Sequence, residues 1–347
     1  TTLAQLTMRK PVARALDLGT GCGVQALHLA RHVDTIVATD LNERALACAR
    51  LGLGLSGVAA DLRQGSLYEP VADGLYDLIV TNPPFVISPP TTAKFTYRES
   101  SFSGDGLMRS VVTGAPAHLS PGGALQVLGN WAHTKDQPWD ERLAGWVAGT
   151  GCDALVIERE VLDPYEYVEI WLADAGLAGT PEYKDTYSRW LDYFDTLGIE
   201  GVGMGWFTLV NAGRQDADVR VEQWPHAVEQ PVGTAFGQHF DAIADSRLSD
   251  DELLGLPWAL AEDVVQETLG APGAEDPTYI VLRQQRGLRR AVEVDTALGG
   301  VLGACDGDLT LGEILGAVAQ LLDVPFSDLV ADVLPRFRAL VADAWFA

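Results

Sequence analysis

The chain has 347 residues, of which 47% are hydrophobic and 21% are charged, as is typical of a folded protein with a buried core. Asp and Glu number 48 against 24 Lys and Arg, a formal net charge of −24. That charge disfavours binding to phosphate backbones without excluding a locally basic RNA site. No apolar run approaches the ~18 residues of a membrane-spanning helix. The length predicts about two domains.

The cysteines are scattered and form no CxxC pair, and the six histidines lack the spacing of metal ligands. This pattern predicts free thiols, a reducing cytoplasmic location and no metal site. Residues 1–10 lack the charged start and apolar run of a signal peptide. Because the chain begins with Thr1 almost directly before its first predicted strand, we expect the natural polypeptide to extend further upstream.

Strands and helices alternate along residues 1–212. A sheet built from repeated strand–helix units is parallel and carries helices on both faces. Asn42 is predicted to cap the second helix, and residues 161–199 are predicted to form a helical insertion between the last two strands. The predicted strands are 13–19, 35–40, 58–65, 75–81, 124–130, 153–160 and 202–211, with helices at 24–32, 42–53, 106–119 and 139–148 and a Pro-Gly-Gly turn at 121–123.

The alternation stops at residue 213. Residues 213–347 hold 23 Asp and Glu against 9 Lys and Arg, and we interpret them as an α+β accessory domain of winged-helix-like type. The run Thr310-Leu311-Gly312-Glu313 predicts a capping box at a helix start. Ser327 is predicted to cap the last helix, and Pro335 to kink or divide it. The arginines of 283–290 form a basic cluster whose pattern favours a solvated surface over the alternative of an RNA site.

A glycine-rich turn follows the first strand, with the sequence Asp17-Leu18-Gly19-Thr20-Gly21-Cys22-Gly23. Glycines at such a turn let the backbone approach a ligand closely. The dinucleotide fingerprint G-x-G-x-x-G is broken by Val24, which disfavours a nicotinamide cofactor. Asp40 ends the second strand, where its carboxylate is predicted to accept hydrogen bonds from both hydroxyls of a ribose.

The tetrapeptide Asn82-Pro83-Pro84-Phe85 follows the fourth strand, at the sheet edge where α/β proteins bind ligands. An amide or aromatic amine nitrogen is a poor nucleophile, because its lone pair is shared with a π-system. The Asn82 side-chain oxygen and the Pro83 carbonyl can each accept one N–H of such a group, and Phe85 can stack on it. These residues are therefore predicted to orient a planar nitrogen for reaction.

The segments GTGCG, TDLNERAL and NPPF together resemble the class I methyltransferases that modify exocyclic or amide nitrogens. The run Asn82–Pro90, NPPFVISPP, is similar to the HemK-type protein-glutamine methyltransferases, above all to the eukaryotic-type branch that acts on a release factor. The resemblance covers about residues 12–131. It implies a Rossmann-like seven-stranded methyltransferase sheet, with the seventh strand antiparallel at one edge, and S-adenosyl-L-methionine as cofactor.

The resemblance also implies roles for individual residues. Asn82, Pro83 and Phe85 are expected at the target nitrogen. The residues expected at the methyl donor are Asp17, Gly19, Thr20, Gly21, Gly23, Asp40, Leu41, Ser66, Leu67 and Asn82.

Two features depart from the family. Ser66 stands where the family often has an acidic residue or Asn near the adenine. The fifth strand ends Leu128-Gly129-Asn130, which resembles the ribosomal-RNA guanine-N2 methyltransferases instead. The leading prediction is methylation of a glutamine amide in a translation-related protein, such as a release factor or ribosomal protein. The alternative is the exocyclic amine of a purine in rRNA or tRNA. A non-catalytic scaffold is disfavoured by the intact NPPF.

The loop after NPPF leaves two interpretations open. Tyr97, Arg98 and Asp105, with Gly104 and Gly106, suit either a lid over the substrate or an ordinary surface loop.

Overall fold

The computed structural model describes residues 2–90, 102–272 and 278–347. The chain divides into two compact units, Thr1–His226 and Ala227–Ala347. The division falls after the boundary predicted at 212/213, because a further strand, Val219–Gln223, pairs with the sheet of the first unit.

The first unit is built on an eight-stranded sheet in the order β3-β2-β1-β4-β5-β7-β6-β8. The strands are β1 (Val12–Leu18), β2 (Val33–Asp40), β3 (Asp61–Gln64), β4 (Tyr76–Thr81), β5 (Leu119–Thr134), β6 (Cys152–Leu162), β7 (Ile199–Asn211) and β8 (Val219–Gln223). The first five strands are parallel to one another. The predicted α/β class with a mainly parallel sheet is thereby confirmed.

The position of β7 differs from the expectation of an antiparallel strand at the sheet edge. β7 is antiparallel, but it lies between β5 and β6 and pairs with both, and β8 forms the edge as an eighth strand. The composition of β7 explains this position. Phe207, Thr208 and Leu209 are all fully buried, so both faces of the strand are covered, as is usual for a strand inside a sheet.

Helices lie on both faces of the sheet, as predicted. Trp131 of β5 belongs to a core formed with α4 and α5, whereas its neighbour Ala132 belongs to a core formed with α6 and α7. Successive residues of a strand point to opposite faces, so these two cores lie on opposite sides. The helices are α1 (Thr2–Leu6), α2 (Val24–Leu29), α3 (Glu43–Leu55), α4 (Gly106–Gly114), α5 (Trp139–Val147), α6 (Pro164–Asp174) and α7 (Tyr183–Thr196).

Local sequence signals differ in how well they predict these elements. Asn42 caps α3 as predicted, with its side chain accepting a hydrogen bond from the Arg44 N–H. The predicted turn at 121–123 instead lies within β5. Between Leu119 and Ala124, β5 bulges, because this stretch is matched only by Tyr76 to Leu78 of β4.

The second unit is α+β. It has a three-stranded antiparallel sheet in the order β10-β11-β12 and a two-stranded pair of β9 and β13. Its elements are α8 (Gly233–Ser246), α9 (Asp250–Gly255), β9 (Pro257–Ala259), β10 (Val264–Leu269), β11 (Tyr279–Gln284), β12 (Ala291–Val294), α10 (Thr296–Gly303), β13 (Asp306–Thr310), α11 (Leu311–Leu322) and α12 (Phe326–Ala342). Its winged-helix-like character stays a prediction.

The capping box at the start of α11 is confirmed. Thr310 accepts a hydrogen bond from the Glu313 N–H, and the Glu313 carboxylate accepts one from the Thr310 N–H. The predicted cap at Ser327 is wrong, because α12 already begins at Phe326. Pro335 lies inside α12 without dividing it. Among the described residues, no helix has the length and apolar character that a membrane crossing requires.

Candidate active site

The strand register brings the predicted site residues to one edge of the sheet. Leu18, the last residue of β1, pairs with Thr39 of β2 on one side and with Thr81 of β4 on the other. Asp40 is the next and last residue of β2, Asn82 is the first residue after β4, and the glycine-rich turn begins directly after β1. Neighbouring strands are about 4.8 Å apart. The turn therefore lies between Asp40 and Asn82 at the carboxyl ends of three parallel strands.

The three glycines of the turn all have left-handed backbone angles, with φ of 73° at Gly19, 57° at Gly21 and 86° at Gly23. A Cβ added at Gly19 or Gly21 meets no atom within 4 Å, so the turn leaves open space above both. A Cβ added at Gly23 comes within 3.3 Å of Ala49 of α3. The first two glycines thus leave room for a ligand, while the third permits helix packing.

Asp17 and Thr20 support this turn from beneath. Both side chains are buried, and one Asp17 carboxylate oxygen accepts the Thr20 hydroxyl at 2.6 Å and the Ala26 N–H at 2.9 Å. Burial raises the pKa of Asp17 to about 6, and the nearby charge of Asp40 adds to the increase. Both side chains therefore form hydrogen bonds within the turn. A contact of either side chain with the methyl donor stays a prediction.

Asp40 holds the turn from the side. One of its carboxylate oxygens accepts the Gly21 N–H at 2.9 Å, and the other accepts the Asn42 N–H at 2.8 Å. Each carboxylate oxygen can accept a further hydrogen bond, because a carboxylate has about four acceptor sites. The next side chain, Leu41, is 66% exposed. An exposed leucine beside a carboxylate with spare acceptor sites suits a nucleoside, whose base has flat faces that pack on apolar side chains and whose sugar has hydroxyl donors.

The turn after β3 lies next to Asp40, since the Gly65 N–H donates to the Asp40 carbonyl oxygen at 3.1 Å. Ser66 is half-buried, and its carbonyl accepts the Glu69 N–H. Leu67 has a left-handed φ of 46° and packs against the main core. Leu67 therefore contacts the core, and the roles of Ser66 and Leu67 at the methyl donor stay predictions.

The NPPF segment presents its asparagine to solvent. Asn82 is exposed, Pro83 is buried and Phe85 is half-buried. In the parts of the chain that the structure describes, no hydrogen bond involves the Asn82 side chain. The hydroxyl of Thr81 is buried without a partner in those same parts. At the end of β4, the exposed Asn82 side chain is therefore open to a ligand, whereas the Thr81 hydroxyl is buried beneath it.

Phe85 contacts Trp171 of α6, with the rings 6.2 Å apart at an angle of 70°. Trp171 comes from the helical insertion, which sequence reasoning interpreted as core. The insertion thus supplies an aromatic wall next to NPPF.

Tyr167 of α6 is a positioning residue that sequence reasoning missed. Its ring is fully buried, and its hydroxyl accepts the Ile87 N–H and the Asn130 side-chain amide, each at 3.0 Å. Burial raises the pKa of Tyr167. The hydroxyl links the backbone after NPPF to the end of β5. The helical spacing of Tyr167 and Trp171 was the available signal, but that spacing is equally typical of a core.

The described end of the loop after NPPF is also anchored. Tyr193 of α7 accepts the Gly104 N–H at 2.8 Å. Asp105 forms an ion pair with Arg142 and accepts the Ala132 N–H at 2.8 Å. Asp105 therefore anchors this end of the loop to β5 and α5, and the lid and surface-loop interpretations both stay predictions. Tyr97 and Arg98 lie outside the described residues.

All four cysteines have free thiols, of which Cys152 and Cys305 are buried and Cys22 and Cys48 are exposed. Over residues 2–90, 102–272 and 278–347, no group of three or more His, Cys, Asp or Glu is arranged to hold a metal ion.

The part of the chain that forms the candidate site is similar to a known protein family. Residues 1–143 match the methyltransferase small domain family. Every predicted site residue lies within this methyltransferase small domain match, which ends inside α5. Tyr167 and Trp171 come from α6, beyond it.

Curated relatives of this region carry related names. The chain is 34% identical over 152 residues to the ribosomal protein uL3 glutamine methyltransferase of Bradyrhizobium diazoefficiens, covering 39% of this chain and 47% of the relative. It is 37% identical over 136 residues to the release factor glutamine methyltransferase of Cereibacter sphaeroides, covering 35% and 49%. It is 30% identical over 117 residues to the ribosomal RNA small subunit methyltransferase C of Alcanivorax borkumensis, covering 34% and 32%. The chain spans about half the length of these relatives or less.

Among solved structures, the YcgJ protein of Bacillus subtilis is similar, at 13% identity over 60% of this chain and 95% of that chain, with a TM-score of 0.39.

Proposed function

We propose that this protein is an S-adenosyl-L-methionine-dependent methyltransferase that methylates the side-chain amide of a glutamine in a translation-related protein. The observation that carries the proposal is the register of β2, β1 and β4, which aligns Asp40, the glycine-rich turn and Asn82 along one sheet edge. A methyl donor and a planar nitrogen need sites next to each other, and this edge offers both.

On the donor side, the carboxylate of Asp40 would accept the ribose hydroxyls, and the backbone at Gly19 and Gly21 would approach the rest of the molecule through the open space above them. Leu41 and the Ser66 turn would border the adenine. When bound, S-adenosylmethionine supplies an electrophilic methyl group on a positively charged sulfur. The open space above the glycine-rich turn and the exposed Leu41 fit S-adenosylmethionine as a whole.

On the acceptor side, the Asn82 oxygen and the Pro83 carbonyl accept the two N–H groups of the amide, and Phe85 covers one face of its plane. An amide nitrogen is a weak nucleophile. The rate would therefore be raised by holding it in line with the methyl group and by placing acceptors where positive charge develops. Proline has no N–H to compete for the amide. Transfer would form a bond from the nitrogen to the methyl carbon while the carbon–sulfur bond breaks, leaving neutral S-adenosylhomocysteine, and one of the N–H protons would pass to solvent, to which Asn82 is exposed.

Two observations favour protein over RNA as the substrate. The named relatives include glutamine methyltransferases of a ribosomal protein and of release factors. Asn130, which resembles the RNA methyltransferases in sequence, is buried and donates to Tyr167, so its amide is used inside the protein. The purine amine of rRNA or tRNA stays the alternative, since one named relative acts on ribosomal RNA. The cytoplasmic location stays a prediction.

The test is transfer of a radiolabelled methyl group from S-adenosylmethionine into an extract of cells that lack the gene. The labelled extract is divided and digested with either protease or RNase. We expect protease to release the label and RNase to leave it in place. Label that survives protease and is released by RNase would replace the glutamine proposal with the RNA alternative.

A further inference from the structure

A cleft with basic side chains lies between α1 and α2 of the first unit. Its lining includes two arginines and two histidines, Arg9, Arg31, His28 and His32, here called the basic cleft. The described residues that line the cleft include no Asp or Glu. In a chain with a formal charge of −24, the basic cleft is a local site of the opposite sign.

The fold gathers these side chains from two segments of the chain. α1 packs against α2, and Arg9 follows α1 on the path to β1. His28 lies near the end of α2. The His32 N–H donates to the Leu29 carbonyl at 3.0 Å, which places Arg31 and His32 in the turn directly after that helix. The side chains of both segments therefore line the same cleft.

The basic cleft lies at the sheet edge opposite the candidate active site. The His32 carbonyl accepts the Val12 N–H at 3.0 Å, and Val12 pairs with Val33 where β1 and β2 begin. Asp40 is the last residue of β2. The seven residues from Val33 to Asp40 correspond to roughly 23 Å along the strand. A ligand in the basic cleft would therefore be separate from the methyl donor and from the target nitrogen.

The arginines of the basic cleft have no carboxylate partner in the protein. Arg9 donates to the Ala4 carbonyl at 3.4 Å. Over the residues that the structure describes, neither Arg9 nor Arg31 forms an ion pair, and neither does Asp34, the next acidic residue along the chain. Arg9, Arg31 and His28 are all exposed, so a solute can reach their donors.

His32 also lacks a partner in this cleft. Its Nε2 is buried and forms no hydrogen bond within the described chain. Burial lowers the pKa of His32 and the charge of Arg9 lowers it further, against an opposing effect of the Met8 carbonyl. Without an anion nearby the protonated ring is disfavoured, and an anion bound beside the arginines would favour it.

Two guanidinium groups in one cleft suit a doubly charged oxyanion. Each guanidinium has a planar fork of N–H donors that matches the oxygens of a phosphate group. A phosphate group carries about −1.5 to −2 charges at neutral pH. It can therefore balance both arginines, whereas a carboxylate balances only one.

We propose that the basic cleft binds a phosphate group, either as free phosphate or as the phosphate of a nucleotide. The guanidinium groups of Arg9 and Arg31 would hold its oxygens, and His28 and His32 would donate to it when protonated. This site goes beyond the proposed function and does not depend on it.

Calorimetric titration of the 347-residue chain at constant ionic strength tests the ligand class. We expect inorganic phosphate to bind at least about 10-fold more tightly than acetate, because a second charge-assisted contact contributes about 1.5 kcal/mol or more. Uridine 5′-monophosphate and uridine distinguish the two sources of the phosphate group. Tighter binding of the nucleotide than of phosphate, with no binding of uridine, identifies a nucleotide; tightest binding of inorganic phosphate identifies free phosphate.

The imidazole NMR signals locate the ligand within the protein. Inorganic phosphate should shift the signals of His28 and His32 and raise the pH at which both rings titrate, because a bound anion favours the protonated ring. The remaining histidines are internal controls whose signals should not move: His118, His133, His226 and His239.

Two variants separate binding in the cleft from a change in net charge. Arg31→Gln should weaken phosphate binding by about 10-fold, the scale of one hydrogen-bonded charge contact. Arg50→Gln is the matched control, because Arg50 is an exposed arginine of α3 that does not line the cleft. It removes the same charge and should leave binding within about 2-fold. Arg31→Lys keeps the charge but loses the planar fork, so its loss should be intermediate.

Equal affinities for phosphate and acetate would overturn the proposal, as would equal losses in Arg31→Gln and Arg50→Gln. Unchanged signals of His28 and His32 at saturating phosphate would also contradict it. No readout here uses methyl transfer, so these outcomes are independent of the proposed function.

Discussion

At the scale of single residues, Asp17 in the glycine-rich turn makes the stability of the fold depend on pH. Its pKa is raised to about 6 in the fold from an ordinary 3.8, because the carboxylate is buried. The folded state therefore retains a proton that the unfolded state loses between pH 4 and 6. The bound proton contributes at most about 3 kcal/mol to the free energy of unfolding. This contribution is fully present below about pH 4 and is lost as the pH rises through 6.

Asp17→Asn should remove this dependence. The amide oxygen can still accept from Thr20 and Ala26, because both donate to the same carboxylate oxygen. Urea denaturation at pH 4 and pH 7 should show the variant gaining stability relative to wild type by about 1–3 kcal/mol between the two values. A difference that stays constant with pH would show that the Asp17 carboxylate is not perturbed by burial.

Asp40 is the residue on which donor binding most depends. Asp40→Ala should weaken S-adenosylmethionine binding by about 100-fold or more, since two charge-assisted hydrogen bonds of about 1.5 kcal/mol or more are lost. Part of the loss is indirect, because Gly21 and Asn42 also lose their acceptor. Calorimetric titration measures the affinity, with Asp34→Ala, an exposed residue at the start of the same strand, as the control. Unchanged affinity in Asp40→Ala would refute the assignment.

At the scale of elements, α6 positions the NPPF segment through one hydroxyl. Tyr167→Phe leaves two buried donors, the Ile87 N–H and the Asn130 amide, without their acceptor. A buried donor left unpaired costs about 1–3 kcal/mol. We expect destabilisation of about 2 kcal/mol or more and a kcat at least about 10-fold lower, because small misplacements of a reacting group are costly. The affinity for S-adenosylmethionine should stay within about 2-fold of the wild-type value.

Tyr193→Phe is the matched control, since it removes one hydroxyl from the same insertion, and that hydroxyl contacts only the Gly104 N–H and the exposed Ser103 hydroxyl among the described residues. The comparison is made from kcat and KM together with the calorimetric donor affinity. An equal loss of kcat in both variants, or a loss of donor affinity in Tyr167→Phe, would mean that the insertion has only a general structural role.

The elements also show where sequence reasoning succeeds. The cap at Asn42 and the box at Thr310 and Glu313 were predictable, because each depends on side chains a few residues apart. The position of β7 between β5 and β6 was not predictable, because strand order depends on pairing between strands that are far apart in the sequence. Ser327 failed as a cap because Pro325 already fits just before the first turn, where a missing N–H costs nothing.

At the scale of the whole molecule, the Asp40–Asn82 edge was predictable because strand ends in a parallel sheet meet on one side. The contribution of Tyr167 was not, because it reaches the site from 80 residues beyond Ile87. The compact units divide at His226, later than the predicted boundary at residue 212, for the same kind of reason. The pairing of β8 with β6 joins residues 219–223 to 154–158, and short edge strands carry little periodicity of their own.

The central proposal is that Asn82 orients a glutamine amide for methylation, and the net charge of −24 favours a protein over RNA as the substrate. The most direct measurement is mass spectrometry of proteins from gene-deleted cells after incubation with S-adenosylmethionine and either wild type or Asn82→Ala. The account predicts one added methyl group on a glutamine side-chain nitrogen with wild type. It also predicts a rate lower by about 100-fold with the variant, whose calorimetric donor affinity should stay within a few-fold. A methyl group on any other residue, or equal rates for the two proteins, would contradict it.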